Sequence, residues 1–265
     1  MTAFTPTTVF ITGASSGIGA ACARAFANIG AKLVVVARRR ERLDAIAKEL
    51  ATAHRTKTHV ATLDVRDRKS VERVVDSLPE PFAAVDVLIN NAGLGIGLDK
   101  LHEGNVDEWD LMIDTNIKGL LYVSRALIPG MVARGKGHVI NLGSLAGREV
   151  YPGGAVYAAT KYAVRALTKA LRLDLLGTGL RVTTIDPGMV DTEFSTVRFR
   201  GDKARADKVY QGLQPLTGDD IADAVLFCAT RPPHVDISEL VLMPTAQGST
   251  TMAHRAPPAA GPASR

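Results

Sequence analysis

The sequence predicts an α/β fold in which a doubly wound parallel sheet carries helices on both faces. Short β-branched, almost wholly apolar segments alternate with longer segments of helical periodicity through most of the 265 residues. Strands that are apolar on both faces are typical of parallel sheets, and right-handed crossovers distribute the connecting helices over the two faces. The 46% hydrophobic and 22% charged content also excludes disordered and collagen-like chains.

The strands are predicted from the β-branched apolar segments. They lie at Thr8–Thr12, Lys32–Ala37, Thr58–Leu63, Val85–Asn90, His138–Leu142, Arg181–Ile185 and Leu240–Met243. Between them, helices are predicted at Ile18–Ile29, Arg40–Ala53, Arg68–Leu78, Val106–Arg134, Gly154–Leu176 and Asp219–Thr230. The first of these ends at Gly30, a common helix terminator, and the second has apolar Leu43, Ile46 and Leu50 at helical spacing.

Beyond Pro187 the pattern becomes irregular. Phe194–Gly201 shows no periodicity, and a short helix is expected around Ala204–Gly212. Because ligands of open parallel sheets bind outside the carboxyl ends of the strands, residues 193–217 are predicted to cover a ligand. No interior segment has the composition of a linker, so residues 1–252 are predicted to form one domain, followed by a Pro/Ala-rich tail at 253–265.

The basic balance, 32 basic against 27 acidic residues, favours a small anionic ligand over nucleic acid. The dense basic cluster is Arg38, Arg39, Arg40 and Arg42, and aromatic residues make up only 5% of the chain. A nucleic-acid groove would show a longer basic stripe interleaved with aromatic residues. No nucleic-acid partner is therefore expected, and a solvated basic surface accounts for most of the excess charge.

The sequence carries no signal for a membrane span, a disulfide or a metal site. No apolar segment approaches the roughly 20 residues that a span needs, and Met1–Thr8 lacks the features of a secretory signal. Cys22 and Cys228 lie outside any Cys-x-x-Cys pair, so both are expected to be reduced and buried. The six histidines lack metal-ligand spacing. A cytoplasmic protein without membrane contact or catalytic metal is predicted.

A glycine-rich loop joins the first predicted strand to the first helix. It reads Thr12-Gly13-Ala14-Ser15-Ser16-Gly17-Ile18-Gly19. Gly13 permits a tight turn, Gly17 lets the backbone approach a pyrophosphate, and Gly19 allows close packing of helix on strand, while the helix N-terminus offers N–H groups to phosphates. The alternative is a purely structural turn. In this context the loop predicts a dinucleotide site formed by Gly13, Ser15, Ser16, Gly17, Ile18 and Gly19.

The residues after the second strand indicate which dinucleotide binds. NAD-specific sites place an acidic residue there to hold the ribose 2′-hydroxyl. Here the strand ends at Ala37 and is followed by Arg38 and Arg39, whose guanidinium groups match a 2′-phosphate. By themselves these arginines could be a solvated charge run. Together with the glycine loop they favour NADP.

Several polar residues follow predicted strands at the same edge of the sheet. Tyr157 and Lys161, four residues apart on a helix, share one face, and Ser144 comes just after the strand His138–Leu142. Asn116 lies inside a helical segment, where it could also be a half-buried core polar group. Asn90-Asn91-Ala92-Gly93 and Asp186-Pro187-Gly188 end two further strands.

In their order and spacing these motifs resemble the short-chain dehydrogenases/reductases, over Thr8 to about Thr192. The resemblance implies a Rossmann-like sheet of seven parallel strands, a nicotinamide cofactor and commonly a homotetramer. It implies catalysis by Ser144, Tyr157 and Lys161 together with Asn116, which would hold a water for proton relay. The further cofactor contacts that it implies are Asp64 and Val65 beside the adenine, Asn91, Ala92 and Gly93 at the centre, Tyr157 and Lys161, and Pro187, Gly188, Val190 and Thr192 beside the nicotinamide.

The chemistry of these residue types agrees with that resemblance. Hydride transfer to a carbonyl leaves an alkoxide that needs a proton, and Tyr157 is the candidate acid. A free tyrosine has a pKa of about 10, and a nearby Lys161 ammonium would favour the phenolate needed in the reverse direction. Ser144 would hydrogen-bond the substrate oxygen.

The segment from Asp191 to Asp202 resembles that of a bacterial subgroup, the NADP-dependent 3-hydroxy acid dehydrogenases. The subgroup includes serine and allo-threonine dehydrogenases and reductases of malonic and sulfoacetic semialdehydes. A 3-hydroxy acid needs its carboxylate held at a fixed distance from the reacting carbon, and Arg198 is predicted to bind it, with Arg148 and Arg200 as alternatives. Arg148 and Glu149 depart from the pattern, which has an apolar or aromatic residue there, and they are expected to border the substrate.

The sequence therefore predicts an NADP(H)-dependent oxidoreductase with a small-molecule substrate. The substrate would be a 3-hydroxy acid, such as serine, allo-threonine or 3-hydroxypropionate, or the matching 3-oxo acid or semialdehyde. Two alternatives stay open. One is a reductase of another carbonyl, such as a 3-oxoacyl thioester or a xenobiotic ketone, and the other is a non-catalytic NADP(H)-sensing protein on the same fold.

Overall fold

A single parallel sheet runs through the computed structural model, which describes residues 7–256. Its strand order is β3-β2-β1-β4-β5-β6-β7. The strands are β1 (Thr8–Thr12), β2 (Lys32–Ala37), β3 (Thr58–Thr62), β4 (Val87–Asn90), β5 (Gly137–Leu142), β6 (Leu180–Pro187) and β7 (Glu239–Leu242), and every neighbouring pair is parallel. The chain first proceeds outward from β1 and then returns to the other side of β1 through β4. This switch point confirms the predicted doubly wound fold.

Helices cover both faces of the sheet. They are α1 (Gly17–Asn28), α2 (Arg40–His54), α3 (Arg68–Asp76), α4 (Val106–Ile113), α5 (Leu120–Ala133), α6 (Ala155–Asp174), α7 (Glu193–Arg198), α8 (Lys203–Lys208) and α9 (Gly218–Ala229). Alternate strand residues point to opposite faces: Val9 and Ile11 join α1, α2 and α9 in one apolar cluster, whereas Phe10 packs with α3, α5 and the end of α6 in another. Burial on both sides explains the continuous apolar strands. Cys22 and Cys228 are free and buried in the first cluster, as predicted.

One long helix of the sequence prediction, Val106–Arg134, is interrupted. After α4 ends at Ile113, the six residues Asp114–Gly119 form a π-helix, and α5 follows directly. A π-helix this short hardly changes the spacing of the apolar residues, so the sequence pattern does not reveal it. The π-helix contains the buried Asn116.

The covering segment, residues 193–217, is more regular than predicted. Instead of an irregular Phe194–Gly201, the chain forms α7, capped by the Thr192 hydroxyl, which accepts a hydrogen bond from the Phe194 N–H at 3.3 Å. A helix of six residues is too short to show periodicity. The second short helix, α8, spans Lys203–Lys208 rather than Ala204–Gly212. Every other predicted element begins and ends within two residues of the observed one.

The first residues of the predicted tail pack against the covering segment. Ala253 forms an antiparallel bridge with Gln247, and the Arg255 guanidinium donates to the carbonyls of Gln211 and Val209 at 2.6 and 3.0 Å. Residues 1–6 of the predicted domain and residues 257–265 of the predicted tail lie outside the described residues. Within residues 7–256, no helix is long and apolar enough to cross a membrane.

Candidate active site

The glycine-rich loop between β1 and α1 is anchored by the residue that follows β4. Asn91 Nδ2 donates to the carbonyl oxygens of Thr12 and Gly13 at 2.9 and 3.2 Å, and Thr12 Oγ1 accepts the N–H groups of Asn91 and Ala92 at 3.0 and 2.9 Å. Gly13 has φ +66°, the left-handed conformation that favours glycine. Ser16, the N-cap of α1, makes no capping bond with its side chain, so this helix N-terminus fits a phosphate group.

Gly19→Ala is expected to destabilise this loop. A Cβ at Gly19 would lie 2.5 Å from both Asn91 Nδ2 and the Gly13 oxygen, so the loop and its anchor would have to separate. We expect the free energy of unfolding to fall by about 1–3 kcal/mol, measured by denaturant titration. Gly130→Ala in α5 is the matched control because its Cβ would meet only Arg134 Nη1, at 3.4 Å. Equal stability of both variants would contradict the close approach described here.

Beside the loop, Arg39 binds Ser15 and Ser16, and Arg42 lies next to Arg39. Arg39 Nη2 donates to Ser16 Oγ at 2.8 Å and to Ser15 Oγ at 3.1 Å. Arg42 joins Arg39 by binding the same carboxylate, Glu193. An open cleft of about 330 Å³ lies beside Ser15, Ser16 and Arg42, large enough for a phosphate group. Arg39, Arg42, Ser15 and Ser16 together form a basic cradle.

The cradle uses only part of the basic cluster in the sequence. Arg40 turns away to Asp44 at 2.9 Å. Arg38 is exposed and contributes, after Arg66, to lowering the pKa of Asp64. Arg42 was not among the cofactor residues predicted from the sequence. It could have been found from its position, because it lies three residues after Arg39 in the first turn of α2 and so on the same side of the helix.

Two residues expected beside the adenine follow β3. The Asp64 carboxylate is bound by Arg66 Nε at 2.9 Å, and this hydrogen bond is the main cause of its lowered pKa. Val65 is buried, and a Cβ on Gly119 of the π-helix would lie 2.6 Å from it. Both residues therefore have structural partners as well as a position at the carboxyl edge.

Lys161 and Tyr157 of α6 lie together at this edge. Lys161 Nζ donates to the Leu142 carbonyl at 2.8 Å and lies 5.9 Å from the centre of the Tyr157 ring. Burial lowers the pKa of Lys161 to about 8, against a smaller opposite effect of Asp186. At neutral pH the side chain is still mainly an ammonium, as an electrostatic partner of a phenolate needs.

Burial raises the pKa of Tyr157 above its ordinary value. The Arg198 charge and a hydrogen bond with Ser144 lower it again, but only in part. Ser144 Oγ also accepts the Ala146 N–H at 3.1 Å. The structure thus brings together Ser144, Tyr157 and Lys161, as the sequence analysis expected.

Both polar atoms of the Asn116 side-chain amide make hydrogen bonds. Its Nδ2 donates to the Leu94 carbonyl at 2.8 Å and to Thr160 Oγ1 at 3.0 Å, and its Oδ1 accepts the Leu94 N–H at 2.9 Å. Thr160 in turn donates to the Tyr157 carbonyl at 2.7 Å. Asn116 therefore ties the loop after β4 to the helix that carries the tyrosine.

The three candidate arginines differ in their partners. Arg148 binds Asp186 at 2.7 Å as well as Glu239, and Arg200 binds Asp99 at 2.6 Å and Glu108 at 2.7 Å. Arg198 is different. Its Nε and Nη2 are buried and have no hydrogen-bond partner among the described residues. Its guanidinium carbon lies 4.7 Å from the centre of the Tyr157 ring.

Arg148 and Glu149, which were expected to border the substrate, both have partners within the chain. Arg148 is engaged with carboxylates of β6 and β7, and Glu149 Oε2 accepts the Thr250 N–H at 2.9 Å. Tyr151, which was not among the predicted site residues, has a buried hydroxyl and lies 5.6 Å from the Arg198 guanidinium. Burial raises the pKa of Tyr151, and the Arg198 charge opposes that rise. An aromatic residue does border the site, two positions further along.

Helix α7 lies directly over the tyrosine. The Phe194 and Tyr157 ring centres are 5.4 Å apart, and a Cβ on Gly95 would lie 2.9 Å from Tyr157, Phe194 and Arg198. Phe194 and Arg198 of α7 therefore cover one side of the Tyr157 ring. A cavity of about 20 Å³, room for one water molecule, lies beside Tyr157.

The residues expected beside the nicotinamide end β6 or follow it. Pro187 ends the strand, and a Cβ on Gly188 would lie 2.2 Å from Gln247 Oε1. Val190 pairs with Leu216, and Thr192 caps α7 next to Gly17 of the glycine-rich loop. Residues 7–256 contain no cluster of three or more His, Cys, Asp or Glu side chains arranged to bind a metal.

Comparison with known proteins gives consistent matches over this whole region. The family model described as short chain dehydrogenase matches residues 7–203. The NADP-dependent 3-hydroxy acid dehydrogenase YdfG of Salmonella typhi is 49% identical over 240 residues, covering 90% of this chain and 95% of the relative. Sulfoacetaldehyde reductase 2 of Chromohalobacter salexigens is 46% identical, covering 92% and 97%. The closed form of serine dehydrogenase complexed with NADP+ has a TM-score of 0.89 at 46% identity, covering 94% and 99%.

Proposed function

The chain belongs to the short-chain dehydrogenase family, and on that basis we propose that it is an NADP(H)-dependent oxidoreductase acting on small 3-hydroxy acids. The reaction would interconvert the hydroxy acid, such as serine, allo-threonine or 3-hydroxypropionate, and its 3-oxo acid or semialdehyde. The single observation that carries the substrate class is Arg198, a buried guanidinium over the tyrosine ring with two nitrogens that have no partner in the described chain.

The cofactor assignment depends on the basic cradle. Arg39 and Arg42 offer planar guanidinium groups, and Ser15 and Ser16 offer hydroxyls, which together match a 2′-phosphate. Relatives named NADP-dependent, and a solved relative complexed with NADP+, support the same choice. In the bound enzyme the nicotinamide supplies or accepts the hydride, and the residues described above hold and orient it.

The protein's own residues manage the proton. Tyr157 donates its hydroxyl proton to the substrate oxygen during reduction and accepts a proton during oxidation. Ser144 would hydrogen-bond the same oxygen, and it also lowers the pKa of Tyr157. Lys161, mainly an ammonium at neutral pH, would add a positive charge that favours the phenolate. Because the Asn116 amide is fully bonded, the water expected there would be held by its main-chain carbonyl in the π-helix.

Arg198 would bind the substrate's acidic group and fix its distance from the reacting carbon. A guanidinium fork binds a carboxylate through two parallel hydrogen bonds, and a sulfonate offers similar oxygens. The match to a sulfoacetaldehyde reductase is consistent with either anion. The homotetramer, the cytoplasmic location and the lack of nucleic-acid partners stay predictions.

The first test is to follow NADPH absorbance with purified protein. We expect NADP to support oxidation of serine, allo-threonine, 3-hydroxypropionate and 3-hydroxyisobutyrate, and NADPH to support reduction of sulfoacetaldehyde. NAD(H) and simple secondary alcohols should give much lower kcat/KM. Turnover of neutral alcohols alone would keep the reaction type and discard the acid-binding role of Arg198. Tight NADPH binding without any turnover would favour the NADP(H)-sensing alternative.

A further inference from the structure

The basic cradle already holds an anion that belongs to the protein. Arg39 Nη2 lies 2.9 Å from Glu193 Oε2, and Arg42 Nη1 hydrogen-bonds to the other carboxylate oxygen. The same Arg39 nitrogen donates to the hydroxyls of Ser15 and Ser16. Glu193 therefore lies among the groups that were assigned to the 2′-phosphate.

The Glu193 carboxylate remains charged at every pH at which the enzyme would work. Hydrogen bonds from Arg42 and Arg39 hold its pKa at about 2. A phosphate monoester carries a charge of about −1.5 to −2 at neutral pH. Two anions on one pair of guanidinium groups repel each other and compete for the same N–H donors.

The same residue begins the helix that covers the catalytic tyrosine. Glu193 is the first residue of α7, whose Phe194 and Arg198 pack against Tyr157. Thr192, just before it, lies 3.2 Å from where a Gly17 Cβ would stand. One short helix thus connects the cradle with the reaction site.

We propose that Glu193 is an internal competitor of the 2′-phosphate: it occupies the guanidinium groups of Arg39 and Arg42, and the 2′-phosphate must displace it to bind them. The inference rests on the proposed NADP specificity. It adds a residue that sets the affinity for the phosphorylated cofactor.

The binding test compares adenosine 2′,5′-bisphosphate with adenosine 5′-monophosphate by isothermal titration calorimetry. We expect Glu193→Gln to tighten the bisphosphate about three- to tenfold, the size of one or two exposed ion pairs, and to leave the monophosphate unchanged. Glu41→Gln is the matched control. It makes the same change of net charge at an exposed position of α2 next to Arg42, and it should change neither affinity by more than about twofold.

Unchanged or weaker bisphosphate binding in Glu193→Gln would overturn the inference, because Glu193 would then not compete with the phosphate. A different failure would reach further. If the wild type binds the bisphosphate no better than the monophosphate, the proposed NADP specificity itself is wrong.

Discussion

Tyr157→Phe should lower kcat by about a hundred- to ten thousand-fold in both directions of the reaction. The change removes only the hydroxyl that would exchange a proton with the substrate oxygen, and positioned acid–base groups contribute rate factors of this size. Because the ring remains, its contacts with Phe194 and Arg198 persist, and the affinity for NADPH should change little. The measurement is steady-state kcat with sulfoacetaldehyde and with allo-threonine, together with the Kd for NADPH from its fluorescence.

Tyr162→Phe is the control for the tyrosine test. Tyr162 lies on the same helix, five residues beyond Tyr157, and its hydroxyl donates a hydrogen bond to the Arg148 carbonyl outside the reaction site. We expect kcat within about threefold of wild type, since loss of one exposed hydrogen bond is worth little. A Tyr157→Phe enzyme that keeps more than a tenth of the wild-type kcat would exclude Tyr157 as the acid.

Arg198→Met should raise KM for 3-hydroxy acids at least about thirtyfold, because removing one partner of a buried, hydrogen-bonded charge pair costs at least about 2 kcal/mol. For neutral secondary alcohols KM should change little. Arg198→Lys should recover only part of the affinity, since an ammonium lacks the planar fork.

Arg200→Met is the comparison variant. Its guanidinium already binds Asp99 and Glu108, so its removal should affect acids and neutral alcohols alike. An equal rise for both substrate classes in Arg198→Met would reject the acid-binding role.

Arg198→Met should also change the pH dependence of the reaction rate. The Arg198 charge lowers the pKa of Tyr157, so its removal should raise that pKa. Oxidation of a neutral alcohol needs the deprotonated tyrosine, and its pH–rate profile should therefore move to higher pH. Reduction needs the protonated tyrosine and should persist to higher pH. A profile that does not move, or one that moves to lower pH, would contradict the electrostatic effect of Arg198 on Tyr157.

The fold class and the meeting of Ser144, Tyr157 and Lys161 could be predicted because local rules govern them. Apolar strands alternating with periodic helices specify a parallel sheet, and the carboxyl ends of such strands meet at one edge. Ser144 follows β5 directly, and Tyr157 and Lys161 are one helical turn apart, so their meeting requires only that the sheet and α6 form. The close approach of Gly19 to Gly13 likewise belongs to one strand–loop–helix unit, whereas its approach to Asn91 depends on the pairing of β4 with β1.

Only the tertiary structure decided which charged groups have partners. The three candidate arginines look alike in the sequence. In the structure, Arg148 binds Asp186, 38 positions away, and Arg200 binds Asp99, 101 positions away. Arg198 has two buried nitrogens without a hydrogen-bond partner in the described chain. The strand before Arg38 and Arg39 has no acidic residue at its end, yet Glu193 reaches Arg42 across 151 positions. The physical reason is that periodicity and local motifs record burial and turns between near neighbours in the chain. Whether a charge is free or already paired depends on contacts between distant segments, and these are fixed only when the covering helix packs on the sheet.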